Sequence, residues 1–317
     1  MTSPLLSSGR PPAARAQDPA VPAPGRRRLG LDAGKRRAGL KFVAPALVLL
    51  IILDVAPILT ELFYSFTKFS LLKPAHLVGF AEYEALFSDP VFWHSVLRTF
   101  YFAGVLVVVG IAVSLGVAVL LTQTIIGTTF HRIVIFLPQT VSYAAGALIW
   151  VWLFNPTSGP INTLISSLGG PSIGWLSSPG IAMPSLLIVS LWRDTGYYML
   201  VFLAALANVP TELYEAAHLD GAGPIRTFRE VVLPSIRPAM LFVLLTWTLG
   251  ALQMFTQAYV MTNGGPGNAT LSVVLDIYKE GFQDLSLGYA SAESFVVFLF
   301  CLVLSLVYVR WFRTRID

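Results

Sequence analysis

Long apolar blocks separated by short polar stretches dominate this chain. A hydrocarbon core of about 30 Å takes about 20 consecutive apolar residues in a helix, and six blocks reach that length. The pattern predicts spans over residues 42–66, 97–122, 133–155, 185–207, 239–262 and 293–312. The second and sixth are the cleanest, reading Phe102 to Leu121 and Ser294 to Val309 without a charge, whereas the first contains Asp54 and the fourth Arg193. Residues 1–40 are rich in Pro, Ala, Gly and Arg and lack apolar periodicity, so they are expected to form a disordered basic tail. Residues 41–317 are expected to form one six-span, all-α membrane domain.

Composition agrees with a bilayer setting: 55% of residues are hydrophobic and only 12% are charged. The isoelectric point near 9.2 invites a nucleic-acid reading. Its positive charge is concentrated in Arg26-Arg27-Arg28 and Lys35-Arg36-Arg37, just before the first span, where basic residues orient a membrane protein. With the amino terminus inside, the inner segments also hold Arg132, Arg226, Arg229, Arg237 and the carboxy-terminal Arg310, Arg313 and Arg315. The outer segments hold Lys68, Lys73, Arg98 and Lys279. The bias therefore predicts that both termini and the 208–238 loop face the cytoplasm. The long charged leader, the extended apolar block and the lack of a small-residue cleavage site argue against a cleaved secretory signal. Cys301 is alone, which excludes an internal disulfide and a cysteine metal cluster.

A membrane protein normally keeps its connections short, so the polar loop over 208–238 calls for a role beyond joining two spans. Asn208 is a candidate cap with Pro210 in the first turn, and a short helix through Glu212, Leu213, Tyr214, Ala216 and Ala217 should end at Asp220-Gly221. Gly223-Pro224 should open a second helix through Phe228 to Val232 that stops near Pro234, because proline lacks the amide donor. The small residues Ala216, Ala217 and Ala222 let another surface approach the backbone, and Glu215 and Asp220 offer acceptors to a basic partner. On residues alone, a plain turn with solvated carboxylates is an equal reading.

The run Glu215-Ala-Ala-x-x-Asp-Gly-Ala222, followed by Phe228 and Leu233-Pro234, resembles the signature loop of permease subunits of bacterial ABC importers. Phe136-Leu-Pro138, Trp192, Leu203-Ala-Ala-Leu206 and Thr262-Asn-Gly-Gly-Pro-Gly-Asn268 resemble the carbohydrate branch, specifically the first of two paired permeases in maltose, lactose and glycerol-3-phosphate systems. The resemblance covers residues 42–315 and implies a type I importer permease fold with a cytoplasmic coupling helix. It also implies that Glu215, Ala216, Ala217, Asp220, Gly221 and Ala222 couple to an ATPase. The implied partners are a second homologous permease, two ATPase subunits, an extracytoplasmic sugar-binding protein and membrane lipid, with no nucleic acid. The implied setting is the bacterial inner membrane.

No lysine of the chain is followed by Ser or Thr, so a Walker A loop is absent. ATP and magnesium are therefore expected on a partner subunit, with no cofactor or metal on this chain. His76, His94, His131 and His218 are scattered without metal-ligand spacing, and no catalytic constellation stands out. The Gly264-Gly265-Pro266-Gly267 segment lacks the phosphate-binding lysine and reads as an outer turn that contacts a binding protein or gates the mouth.

Ionisable and amide side chains within spans point to function, because lipid penalises them. Arg193 and Tyr197 in the fourth span and Gln253 and Gln257 in the fifth are candidates for a translocation path. Gln253 and Gln257 are one turn apart and would share a face of a continuous helix. The alternatives are an Arg193–Asp194 pair, snorkelling of Arg193, and helix packing through the amides. Gln139, Ser142 and Tyr143 carry the same two readings. A secondary carrier driven by an ion gradient is the rival class; inverted repeats and intramembrane carboxylates would mark it.

Overall fold

The computed structural model describes residues 33–123 and 127–313. The chain divides into two compact units, Met1–Ala56 and Pro57–Asp317. In the first, helix α1 (Ala33–Leu50) runs into a π-helical turn, Ile51–Val55, where Asp54 is exposed. Residues 33–40, expected to be disordered, are therefore helical, and the remainder of that expected tail lies outside the described residues. The apolar helical stretch Lys41–Tyr64 is 24 residues long, enough to cross a membrane at about 1.5 Å per residue.

The second unit takes up the chain in α2 (Ala56–Tyr64), followed by an antiparallel hairpin of β1 (Thr67–Ser70) and β2 (Lys73–Leu77), a small departure from an all-helical chain. Then come α3 (Ala81–Ser88) and α4 (Pro90–Thr122), whose first amides are capped by Asp89, which accepts from the Val91 amide at 2.8 Å. Helices α5 (Thr128–Thr140), α6 (Tyr143–Leu153), α7 (Pro160–Ser167) and α8 (Pro179–Ala207) follow. After α8 the polar element contains α9 (Thr211–Leu219), α10 (Pro224–Thr227) and α11 (Leu233–Ser235). The chain closes with α12 (Arg237–Leu252), α13 (Thr256–Thr262), α14 (Val273–Tyr278) and α15 (Leu287–Arg313).

Among the described residues, four helices are long and apolar enough to cross a membrane, and two bent pairs bring the number of candidate spans to six. The block 133–155 is one bent pair: α5 and α6 meet at 100°, because Ser142 adopts extended backbone and its hydroxyl accepts from the Ala145 amide, starting a new helix. The other pair bends by 70° at Ile236, between Pro224–Ser235 and α12. As expected, the helix stops near Pro234, one residue beyond it at Ser235. A π-helical turn over Phe228–Val232 precedes Pro234, with the Leu233 amide donating back five residues to Phe228, and helix resumes through Ser235.

The fifth predicted span, 239–262, is not one helix either. Helix α12 ends at Leu252, residues 253–255 leave the helix, and the Met254 carbonyl freed by the break accepts from the Ser272 hydroxyl. The expected shared face of Gln253 and Gln257 therefore does not exist: Gln253 is exposed in the break, and Gln257 is buried on α13. Helices α4, α8 and α15 begin at Pro90, Pro179 and Leu287, six or seven residues earlier than predicted, so they extend past the apolar blocks.

The core lies where α4, α8 and α12 pack together, through Phe102, Leu106, Met199, Phe202, Val243 and Trp247, all nearly inaccessible. Helix α8 also lies against α5 at very short range. A Cβ on Gly196 would stand 2.3 Å from the Ile135 carbonyl oxygen, so only glycine permits this backbone approach.

Candidate functional site: an intramembrane cavity and a polar helical element

The close packing of α8 on α5 sets a row of polar side chains facing α6. The Arg193 guanidinium pairs with Asp194 Oδ1 at 2.9 Å, and its Nη1 also donates to Gln139 Oε1 at 3.3 Å. Its Nε donates to the Val141 carbonyl at 3.3 Å, one of the groups exposed by the α5–α6 break. The guanidinium carbon lies 4.0 Å from the centre of the Tyr143 ring, a cation–π contact. The Tyr143 hydroxyl donates to the second carboxylate oxygen of Asp194 at 2.7 Å. Arg193 Nε and Nη1 and both carboxylate oxygens of Asp194 are thus engaged, so each charge is paired and hydrogen-bonded where the two side chains are only 17% and 16% exposed.

These groups line one wall of a cavity of about 230 Å³. Tyr197 and Tyr198 of the same helix α8, Trp247 of α12 and Gln257 of α13 also line it. Tyr198 and Trp247 stack with ring centres 4.0 Å apart, and Tyr197 meets Tyr198 edge to face at 5.1 Å. Trp247 Nε1 is buried without a hydrogen-bond partner among the described residues. The cavity therefore offers aromatic rings, amides and phenols side by side.

Of the four sequence candidates for a path, Arg193, Tyr197 and Gln257 come together here, and Gln253 does not. Arg193 does pair with Asp194, so two readings that the sequence left as alternatives coexist: the pair is structural and it lines the cavity. Gln139 and Tyr143 join the same wall, whereas Ser142 is spent on capping α6. Trp247 was not legible as a lining residue, because its apolar neighbours in sequence look like ordinary span. Interruption of the block by Thr246, Thr248 and Gly250 was the signal available.

The polar helical element is built as a bent pair of short helices. Helix α9 ends in a Schellman arrangement: the Ala222 amide donates to the Ala217 carbonyl at 2.9 Å, and the Gly221 amide to the His218 carbonyl at 3.1 Å. Gly221 supplies the left-handed residue, at φ +71°, that this geometry requires. Asn208 is not the cap of α9; it ends α8, donating to the Ala204 carbonyl at 2.7 Å, and α9 starts after Pro210. Ala217 is buried, and Ala222 is partly buried beside it, while Glu215, Ala216, Asp220 and Gly221 are exposed. Leu219 and Ile225 are 89% and 79% exposed, large apolar side chains presented on either side of the glycine turn.

Residues 112–317 match the family model described as binding-protein-dependent transport system inner membrane component. The chain belongs to this family. The polar element and every cavity-lining residue except Leu106 fall within the matched residues. The chain is 34% identical over 287 residues to the sulfoquinovosyl glycerol transport system permease protein SmoG of Agrobacterium fabrum, covering 90% of this chain and 93% of that protein. It is 33% identical over 278 residues to the sn-glycerol-3-phosphate transport system permease protein UgpA of Escherichia coli O157:H7, covering 86% and 93%. The fold matches that of a chain of a bacterial ABC transporter involved in the import of alginate, with a TM-score of 0.76 at 20% identity, covering 89% of this chain and 98% of that one. The resemblance read from the Glu215 loop and the type I permease fold are thereby both supported, and the chain is a permease subunit of an ABC importer.

Proposed function

We propose that this permease forms half of a carbohydrate path across the bacterial inner membrane, driven by ATP that a partner subunit hydrolyses. The cavity is the observation that carries this reading: Tyr197 presents open ring surface in an aromatic lining that also includes Tyr143, Tyr198 and Trp247, and Gln139, Gln257 and Arg193 supply hydrogen-bonding groups. That combination suits a solute with apolar faces and a hydroxyl rim. At about 230 Å³ the cavity falls below the roughly 300–1,000 Å³ of complete small-molecule sites, as half of a shared path should. The names of relatives specify sulfoquinovosyl glycerol, sn-glycerol-3-phosphate and, for AmyD of Thermoanaerobacterium thermosulfurigenes, starch degradation products.

In this reading both termini and the α9–α11 element face the cytoplasm, following the distribution of Lys and Arg. Glu215, Ala216, Ala217, Asp220, Gly221 and Ala222 transmit the ATPase movement, with Leu219 and Ile225 as apolar anchors. The second half of the path comes from a homologous permease, two ATPase subunits bind ATP and magnesium, and an extracytoplasmic binding protein delivers the sugar. A comparable assembly supports this arrangement, an alginate ABC transporter solved with its sugar-bound periplasmic protein, which shares the fold at a TM-score of 0.76. The outer turn over Thr262–Thr270 is braced for such a contact, with the Thr262 and Thr270 hydroxyls 2.6 Å apart and Lys279 Nζ donating to the Asn263 carbonyl at 2.9 Å. Alternating access then follows from two states that nucleotide and ligand bias differently.

The test is uptake of labelled sugars by cells carrying Tyr197→Ala or Gln257→Ala at normal membrane levels. Reduced uptake with retained ATPase association is expected; unchanged uptake in both would remove the cavity from the path.

A further inference from the structure

We propose that the intramembrane cavity is selective for uncharged carbohydrate and discriminates against sugars bearing phosphate, sulfonate or carboxylate. This rests on the reading of the cavity as part of a carbohydrate path and narrows its substrate class. Among the described lining residues the only cation is Arg193 and the only anion Asp194, and they neutralise one another at 2.9 Å.

A free cation is what an anionic group requires when it leaves water, because a charge in a low-dielectric site is tolerated only when paired and hydrogen-bonded. Arg193 is occupied on several sides: Asp194 and Gln139 accept from Nη1, the Val141 carbonyl accepts from Nε, and the Tyr143 ring covers the guanidinium face. Asp194 is held just as firmly, since its second oxygen accepts from the Tyr143 hydroxyl at 2.7 Å. Its carboxylate cannot swing away without breaking that bond. An arriving phosphate would therefore meet a compensated arginine with a fixed negative charge beside it, and like charges at such range repel strongly in a protein interior.

A neutral sugar meets no such obstacle. Its hydroxyls can exchange hydrogen bonds with the Gln257 and Gln139 amides that line the cavity. Tyr197, 40% exposed, leaves ring surface open for a sugar face. One relative is named for sn-glycerol-3-phosphate, and the Arg193–Asp194 pair predicts that this chain departs from that solute class.

The test uses the permease purified with its co-isolating subunits, without the binding protein, whose own selectivity would mask that of the cavity. Binding is measured calorimetrically for maltose, and for the matched pairs glucose with glucose 6-phosphate and glycerol with glycerol 3-phosphate. The expected result is at least about tenfold weaker binding of each phosphate than of its neutral counterpart, and Asp194→Asn, which frees the guanidinium, should close that gap about tenfold. Equal or tighter binding of the phosphates by the wild type would overturn the charge selectivity while leaving the carbohydrate reading in place. A gap unchanged in a folded Asp194→Asn protein would likewise overturn it, by placing the discrimination elsewhere. Should that variant fail to accumulate, the wild-type comparison decides alone. Absence of binding by every sugar tested, in wild type and variant, would refute the carbohydrate reading itself and the selectivity with it.

Discussion

Replacing Gly221 separates backbone geometry from charge in the α9–α11 element proposed to couple to the ATPase. The residue sits at φ +71°, and a Cβ built there meets nothing within 4 Å, so an added side chain costs torsional energy and not packing. For an ordinary L-residue the left-handed conformation costs about 1–2 kcal/mol. Asparagine and aspartate adopt it more readily, because their short polar side chains bond locally. The two Schellman bonds of 2.9 and 3.1 Å that end α9 depend on this conformation, and they set the angle at which Leu219 and Ile225 are presented. Gly221→Ala should therefore weaken ATPase association by roughly 5- to 30-fold, the factor corresponding to one or two kcal/mol. Gly221→Asn should stay close to wild type. Gly221→Asp has the same torsional tolerance as asparagine but adds a second negative charge beside Asp220, and it should remain in the membrane yet abolish uptake and ATPase association. The assay is co-purification of the ATPase in mild detergent with parallel sugar uptake, normalised to membrane level. If alanine and asparagine behave alike, the torsional reasoning is wrong. If aspartate supports normal uptake, the coupling role of this turn is wrong.

The largely buried Arg193–Asp194 pair, 17% and 16% exposed, offers a second expectation: Arg193→Met or Asp194→Leu alone should destabilise the protein by about 3 kcal/mol, whereas the double variant should recover much of the loss, since only single removal strands a charge. Thermal unfolding in detergent measures the cycle, and additive losses would contradict the account. Gly196→Ala should cost about 1–3 kcal/mol, as an overpacked contact does, because the Ile135 backbone oxygen at 2.3 Å cannot yield as a side chain would; unaltered melting would count against the α5–α8 packing. On the α14 side, burial pushes the Asp276 carboxyl up to about 6, and burial, reinforced by the negative charges of Asp284, Asp276 and Asp89, pushes Glu280 up to about 7. Such groups hold protons more tightly folded than unfolded, so stability should fall as pH rises from about 4 through 6 and 7, then level off. Asp276→Asn with Glu280→Gln should flatten that profile between pH 5 and 8, and an unchanged slope would mean that other groups set it.

Hydrophobic pattern made the span count and the polar loop legible, because a bilayer imposes length and apolarity directly on sequence. The end of α9 at Asp220-Gly221 was readable for the same kind of reason: a glycine after a helical run has a specific conformational use. The breaks were harder. Val141-Ser142 and Gln253–Phe255 lie inside apolar blocks, and what stabilises them is distant in sequence: Arg193 reaches back to the Val141 carbonyl, and Ser272 satisfies Met254. A one-dimensional period carries no trace of such partners, which is why it puts Gln253 and Gln257 on one face. The cavity was partly legible through Arg193, Tyr197 and Gln257, since polar groups in a span announce themselves. Trp247 did not, because an apolar residue in a span gives no sign of which wall it forms.

The central claim is that this chain transports only as part of an ATP-driven assembly. Sugar uptake into liposomes tests it most directly, comparing this chain alone with the chain plus its partner permease, ATPase subunits, binding protein and ATP. Uptake should require the complete set and stop when ATP or the ATPase is omitted. Sugar flux through this chain alone, or flux driven by an ion gradient without ATP, would contradict the account.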